Sequence, residues 1–239
     1  MNYFDEYVSN YDMEDSDINY KYYHSYRVMD IMELITTKLG MNEKDIHLAK
    51  VIGLLHDIGR FEQDKLYNSF KDDKMDHGDY GVKVLKENNI LDTFNIDSLD
   101  YEVVYKAIDN HNQFKINKGL TERELLFVKL IRDADKLDIL YALGNETLKP
   151  ILRQDKTEIS EKLATDFFNN TSCNIHDVKS KNDSLIITFS YIYDINFKES
   201  FEIIHENKYY DKIYERINRK DIFEKYLNYT NKYIYERID

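Results

Sequence analysis

The sequence predicts an all-α protein, and three observations carry that prediction. Apolar residues recur at i+3 and i+4 through most of the chain, the spacing of one helix face. Seven Gly and one Pro in 239 residues are too few turn formers for the many hairpins of a sandwich or barrel. The 42% apolar content exceeds what a disordered chain carries. A chain of this length can bury a substantial core. Pro150, the single proline, marks the expected division into a helical core over 1–150 and a mostly helical extension over 151–239.

The elements follow in order. Val28, Ile31, Met32, Ile35 and Leu39 predict a helix over about 20–39, stopped by Gly40. Ile46, Ala49, Ile52 and Leu55 predict a second, running from about Asn42 to His56-Asp57. Residues 60–75 are polar and read as a loop, a wall or lid whose Phe61, Tyr67 and Phe70 would stack on a base. Asp76 is an N-cap for a third helix carrying His77, Gly81, Val84 and Leu85. A fourth runs from about 98 through Val103, Val104, Ala107 and Ile108 to His111. Thr121 and Glu124 have capping-box spacing and open a fifth through Leu125, Val128, Ile131 and Asp135, with Gly144 near its end. Beyond Pro150, 155–170 reads as helix, and 200–235 as helix with aromatic residues filling a core. The stretch 185–193 (LIITFSYIY) fits a buried strand by its β-branched content and a helix by its surroundings; helix is preferred.

Charge and composition exclude several classes. Thirty-three basic against 45 acidic residues give a net charge of −12, the wrong sign for long nucleic acid or an acidic lipid surface. No run approaches the ~18 apolar residues of a membrane span. The acidic N-terminal stretch lacks the apolar centre of a signal peptide, and the lone Cys173 cannot form an internal disulfide. A reduced, cytoplasmic setting is the expectation.

His24, His56, Asp57, His77, His111 and Asp135 form the constellation that points to chemistry. His24 precedes Val28, Ile31 and Ile35 on one helix stripe, His111 follows Ala107 and Ile108, and Asp135 follows Ile131, so each faces inward. A buried imidazole or carboxylate needs a partner, and a metal ion would satisfy all of them. Taken singly, each residue is as well explained as a core histidine, a cap or a solvated charge; the joint pattern is what counts.

That pattern, with LLHDIGRFEQ closing an apolar helix and RDADKLD on a later one, resembles the HD-domain superfamily of metal-dependent phosphohydrolases over about 20–145. The resemblance implies an all-α helical bundle holding metal in its middle, with His24, His56-Asp57 and Asp135 as ligands. Asp135 is preferred to Asp133 because the family places this ligand in an Ala-Asp pair, here Ala134-Asp135. Families with a binuclear site add two histidines between the His-Asp pair and the last Asp, where His77 and His111 fall. Asp57 would then bridge two metals, with His24, His56 and Asp135 completing one sphere and His77 and His111 the other. HD-GYP cyclic-dinucleotide phosphodiesterases are related, but Asn112 follows His111 here and no Gly-Tyr-Pro occurs. Relatives acting on deoxynucleoside monophosphates carry an acid three residues after the pair, where this chain has Arg60.

Imidazole and carboxylate ligands imply one or two divalent ions among Mn, Fe, Co, Ni and Zn. Two such ions against two carboxylates leave a local charge of about +2, which attracts a small phosphate. The expected activity is a phosphomonoesterase or phosphodiesterase acting on a nucleotide-like ester through a metal-activated water. Asp57 and Arg60 are the expected catalytic residues, Arg60 and Lys136 the expected phosphate contacts, and Asp138 is either a support for a ligand histidine or a surface charge. Two alternatives stay open: an HD-fold di-iron oxygenase, which shares the ligand set, and a metal-bearing binding module. His47, His176, His205 and Cys173 have no supporting pattern. Three readings remain for the final 90 residues: an extension of the bundle, a cover for the site, or a homodimer interface.

Overall fold

The computed structural model describes residues 3–145 and 154–239. Pro150, the expected division, lies outside them. All regular structure among the described residues is helical. The chain forms two compact units, Met1–Asp135 and Lys136–Asp239, which part inside a helix.

In the first unit α1 (Tyr3–Val8), α2 (Ser16–Lys38), α3 (Glu43–Leu55), α4 (Ile58–Tyr67), α5 (His77–Glu87) and α6 (Tyr101–His111) precede α7 (Glu122–Gly144). Helix α2 starts earlier than periodicity alone suggests, because Asp15 accepts hydrogen bonds from the Asp17 and Ile18 amides. It ends where Gly40 turns left-handed, φ 67°. Val28, Met32 and Ile35 are fully buried where α2 packs on α3. Gly53 permits that approach: a Cβ there would lie 2.9 Å from the Met29 Cα. Asp76 accepts from the Gly78 and Asp79 amides at the start of α5. The capping box before α7 is closed in both directions, Thr121 N–H to Glu124 Oε2 at 2.6 Å and Glu124 N–H to Thr121 Oγ1 at 3.2 Å.

One expectation fails here. Residues 58–67, most of which read as loop, are helix α4. Gln63 and Asp64 are buried polar residues, which erased the apolar stripe. The Gln63 amide donates to the Lys71 and Met75 carbonyls at 3.1 and 2.7 Å and to Asp72 at 2.9 Å, tying the true loop to α4. Phe61 is wholly buried against Phe4 and Tyr7 of α1. It is therefore core and has no face to offer a base.

The second unit carries the C-terminal end of α7, then α8 (Glu161–Phe168), α9 (Lys181–Ser190), α10 (Lys198–Asn207), α11 (Tyr209–Glu215) and α12 (Lys220–Ile238). The ambiguous 185–193 is helical, ending in a 3-10 turn. The single helix read over 200–235 is three, broken at Lys208, whose φ is 53°, and again between Arg216 and Arg219. Phe167, Phe189, Tyr210, Phe223 and Tyr226 are buried to 1% or less and form the aromatic core.

Candidate metal centre

All six predicted ligand residues lie in the first unit, on four helices and the α3–α4 junction. His24 projects from the middle of α2. His56 caps the end of α3, and Asp57 is the one residue left before α4 begins. His77 opens α5, His111 closes α6, and Asp135 sits in α7. Four of these positions are helix ends, where a side chain escapes its own helix surface and can aim across the bundle. His24, His56 and His77 are fully buried, Asp57 and His111 nearly so.

Asp57 divides its two oxygens between two histidine pairs. Oδ2 lies 3.4 Å from His24 Nε2 and 3.5 Å from His56 Nε2. Oδ1 lies 3.2 Å from His77 Nε2 and 3.5 Å from His111 Nε2. Asp135 Oδ1 joins the first pair, 3.2 Å from His24 Nε2 and 3.8 Å from His56 Nε2. Asp135, the choice over Asp133, thus belongs with His24 and His56 in one metal-competent group; His56, Asp57 and His111 make another.

The histidine tautomers follow from their second nitrogens. His56 Nδ1 lies 2.8 Å from the Gly53 carbonyl and His111 Nδ1 2.6 Å from the Ile108 carbonyl. His77 Nδ1 lies 2.7 Å from Asp72 Oδ1. These oxygens accept only, so each Nδ1 carries the proton and donates. Burial pushes His56 down to about 3 and also lowers His111, so both are neutral at pH 7. Their Nε2 atoms then carry bare lone pairs. His77 Nε2 and His111 Nε2 nonetheless face each other at 2.9 Å, and His24 and His56 Nε2 lie 3.2 Å apart. Ring nitrogens this close are held either by a proton on one of them or by a cation that serves both. Ligands each about 2.1 Å from one ion and at right angles are about 3.0 Å apart. The donor set therefore fits a pair of divalent ions.

Burial works against the Asp57 carboxylate, yet the Lys21 ammonium 2.6 Å from Oδ2, together with His56, His111 and His24, holds it well below the usual carboxylate range. Burial likewise opposes Asp135, and its hydrogen bond with His24 and the nearby His24 and His56 rings together outweigh that. Asp72 is held low against burial by His77 and Arg60.

A family model of the HD domain matches residues 22–140, a span that contains all six predicted ligand residues. The chain belongs to the HD-domain superfamily. That superfamily is one of metal-dependent phosphohydrolases, and the His/Asp groups of this HD domain are compatible with metal binding. Comparison with curated proteins and with solved structures gave no match. No helix among the described residues is long and apolar enough to cross a membrane.

The predicted phosphate contacts, Arg60 and Lys136, are both engaged with other groups. Arg60 lies beside it, with Nε 3.6 Å from Asp57 Oδ1. Its Nη1 is occupied by Gln63, the Phe70 carbonyl and Asp72 at 2.7, 2.6 and 3.1 Å, so half of its fork already braces the 68–76 loop. Lys136 falls in the second unit, and its ammonium pairs with Asp194 at 2.7 Å. Asp138 is fully buried and is not a surface charge. His47 is exposed, its Nε2 2.7 Å from the Phe94 carbonyl, and burial raises the Cys173 thiol to about 11. Two functional neighbours escaped the sequence reading. Lys21 sits three residues before His24 on the same helix face, a spacing that could have flagged it. Asp72 is in an irregular loop, where no period exists to reveal it.

The imidazoles fix a pH dependence for the metal-free protein. His56 and His111 have lowered pKa values when folded, so the unfolded chain takes up their protons first. Stability is full above the ordinary imidazole pKa of about 6.5 and declines as pH falls towards about 3. Above about pH 5 Asp57 and Asp135 are ionised in both states and add no slope; below it their lowered folded-state pKa values add loss in the same direction. Chelator-treated protein is expected to melt progressively lower from pH 7 to pH 4.5 in a buffered thermal series. A flat profile would contradict neutral buried imidazoles.

Proposed function

We propose that this protein hydrolyses a small, nucleotide-like phosphate ester, as a phosphomonoesterase or phosphodiesterase, at a binuclear metal centre. The observation that carries the proposal is Asp57, whose two oxygens each face a separate histidine pair at 3.2–3.5 Å. His24, His56 and Asp135 would hold one ion, His77 and His111 the other, and Asp57 would join both. Bound there, divalent ions supply an activated water and withdraw charge from the phosphoryl group. The chain's own residues prepare the site. Neutral His56 and His111 present lone pairs at pH 7 without first losing a proton. Asp72 fixes the His77 tautomer and ring orientation through Nδ1. The two carboxylates leave about +2 on a two-ion centre, a field that favours an anionic substrate. Half-buried Phe70, with the Arg60 guanidinium 5.6 Å from its ring centroid, supports the nucleotide-like reading, since it offers an aromatic surface beside Arg60.

The test is elemental analysis of metal-replete protein together with a panel of nucleotides and simple phosphoesters. Two ions per chain and chelator-sensitive phosphate release with Mn or Co are expected. Iron-dependent oxygen uptake with no phosphate released would sink the hydrolase and favour the oxygenase. Absence of bound metal would favour a binding module. Asp72→Asn is expected to weaken metal binding about 10- to 100-fold, the usual cost of losing a group that orients a ligand; equilibrium dialysis against Mn checks this.

A further inference from the structure

Lys21 is the basic residue closest to Asp57 in the cluster, and the family ligand pattern assigns it no role. Its Nζ donates to Asp57 Oδ2 at 2.6 Å, the same oxygen that His24 and His56 face. Asp57 is its acidic partner among the described residues. The Lys21 side chain is 15% exposed, so it reaches the site from a side open to solvent. Its ammonium also lies 5.7 Å from the Phe70 ring centroid, the ring that Arg60 covers at 5.6 Å. Lys21, Phe70 and Arg60 thus make a cationic, aromatic rim beside Asp57.

The three basic residues near the ligand sequence differ in what holds them. Lys136 is paired with Asp194. Arg60 Nη1 is fastened to Gln63, Phe70 and Asp72. Lys21 is balanced only through a carboxylate that metal binding would claim. A divalent ion on Asp57 Oδ2 repels an ammonium held 2.6 Å from that oxygen. Lys21 stands on a flexible four-carbon stem with three rotatable donors, so it can leave Asp57 without disturbing α2. A mostly buried ammonium that has lost its acid needs another anion. The substrate's phosphate is the anion this centre is built to receive.

We propose that Lys21 is the substrate-phosphate anchor of this site, bound to Asp57 in the metal-free protein and released to the phosphate by metal loading. The proposal rests on the binuclear reading above. It makes Lys21 a counter-charge that changes partner: it pairs with Asp57 Oδ2 before the ions arrive, and it adds a third source of positive charge once they are in place. Lys21 rather than Lys136 then provides the lysine contact expected from the sequence.

The test uses full-length wild type, Lys21→Met and Lys21→Arg, each titrated with Mn and then, Mn-loaded, with inorganic orthophosphate by calorimetry. Lys21→Met is expected to bind Mn at least as tightly as wild type, since no ammonium competes for Asp57, and to bind orthophosphate at least about tenfold more weakly, as for the loss of a charge-assisted contact. Lys21→Arg should recover most of that loss. If Lys21→Met loses its helical circular dichroism, Lys21→Gln carries the same comparison. Full Mn loading with unchanged orthophosphate affinity would overturn the anchor while leaving the metal centre intact. Failure of the variant to load Mn would also overturn it, showing that Lys21 serves to orient Asp57. Failure of the wild type to load Mn would bring down the binuclear reading and the anchor with it.

Discussion

Asp57→Ala is expected to abolish metal-dependent phosphate release while leaving helical content close to wild type. The carboxylate faces both histidine pairs, so its loss removes one donor from each ion at once. It also leaves the Lys21 ammonium without its acid, adding repulsion where the ions must bind. The drop should exceed about 100-fold, the upper range for residues that only support a ligand. The fold should survive, because the Asp57 side chain makes no capping hydrogen bond to α4 and so does not hold the start of that helix. Phosphate release, Mn content and far-ultraviolet circular dichroism measured on one preparation check the three parts. Turnover retained in this variant would contradict the shared-ligand role.

Gly59→Ala should be the most destabilising single methyl addition in the first unit. A Cβ at Gly59 would collide with the His77 carbonyl oxygen and would meet the Gly81 amide nitrogen at 2.9 Å and the His77 carbonyl carbon at 3.1 Å. These are backbone atoms of α5, with no flexible side-chain end to bend away. Alanine is favoured over glycine in a helix by about 1 kcal/mol, but a backbone clash of this kind costs about 3 kcal/mol or more, so the clash decides the sign. Because α5 begins at His77, its retreat would also draw that imidazole from Asp57. A lowered urea midpoint and weakened Mn binding are expected together. An unchanged midpoint would mean that α4 and α5 do not pack this closely.

Much of this arrangement was readable from residue order. The inward stripes of α2 and α6 placed His24 and His111 correctly because a helix period fixes which residues share a face. Asp76, Thr121 and Glu124 announced their caps because side chains short enough to fold back on the backbone do so in few patterns. The convergence of the ligands was not derivable from spacing; it came from resemblance, since no local rule brings α2, α5 and α7 together. Helix α4 was hidden because Gln63 and Asp64 are polar yet buried, Gln63 held by hydrogen bonds to a loop eight to twelve residues on. Lys136 shows the limit of adjacency: the residue next to Asp135 in sequence is turned about 100° from it on a helix, and its ammonium pairs with Asp194. Lys21, one turn from His24, lies beside Asp57 by the same rule.

His56 and His111 each bind a carbonyl three residues back in their own helix. Each ring is therefore aimed by a single turn of its own chain and needs no neighbour to orient it. Ions gripping rings so aimed would act as rivets, clamping α3 to α6 across the interior. Local fraying of either helix end would first have to break coordination. Amide protons in those terminal turns, normally the quickest to exchange, would then be among the slowest in the loaded protein.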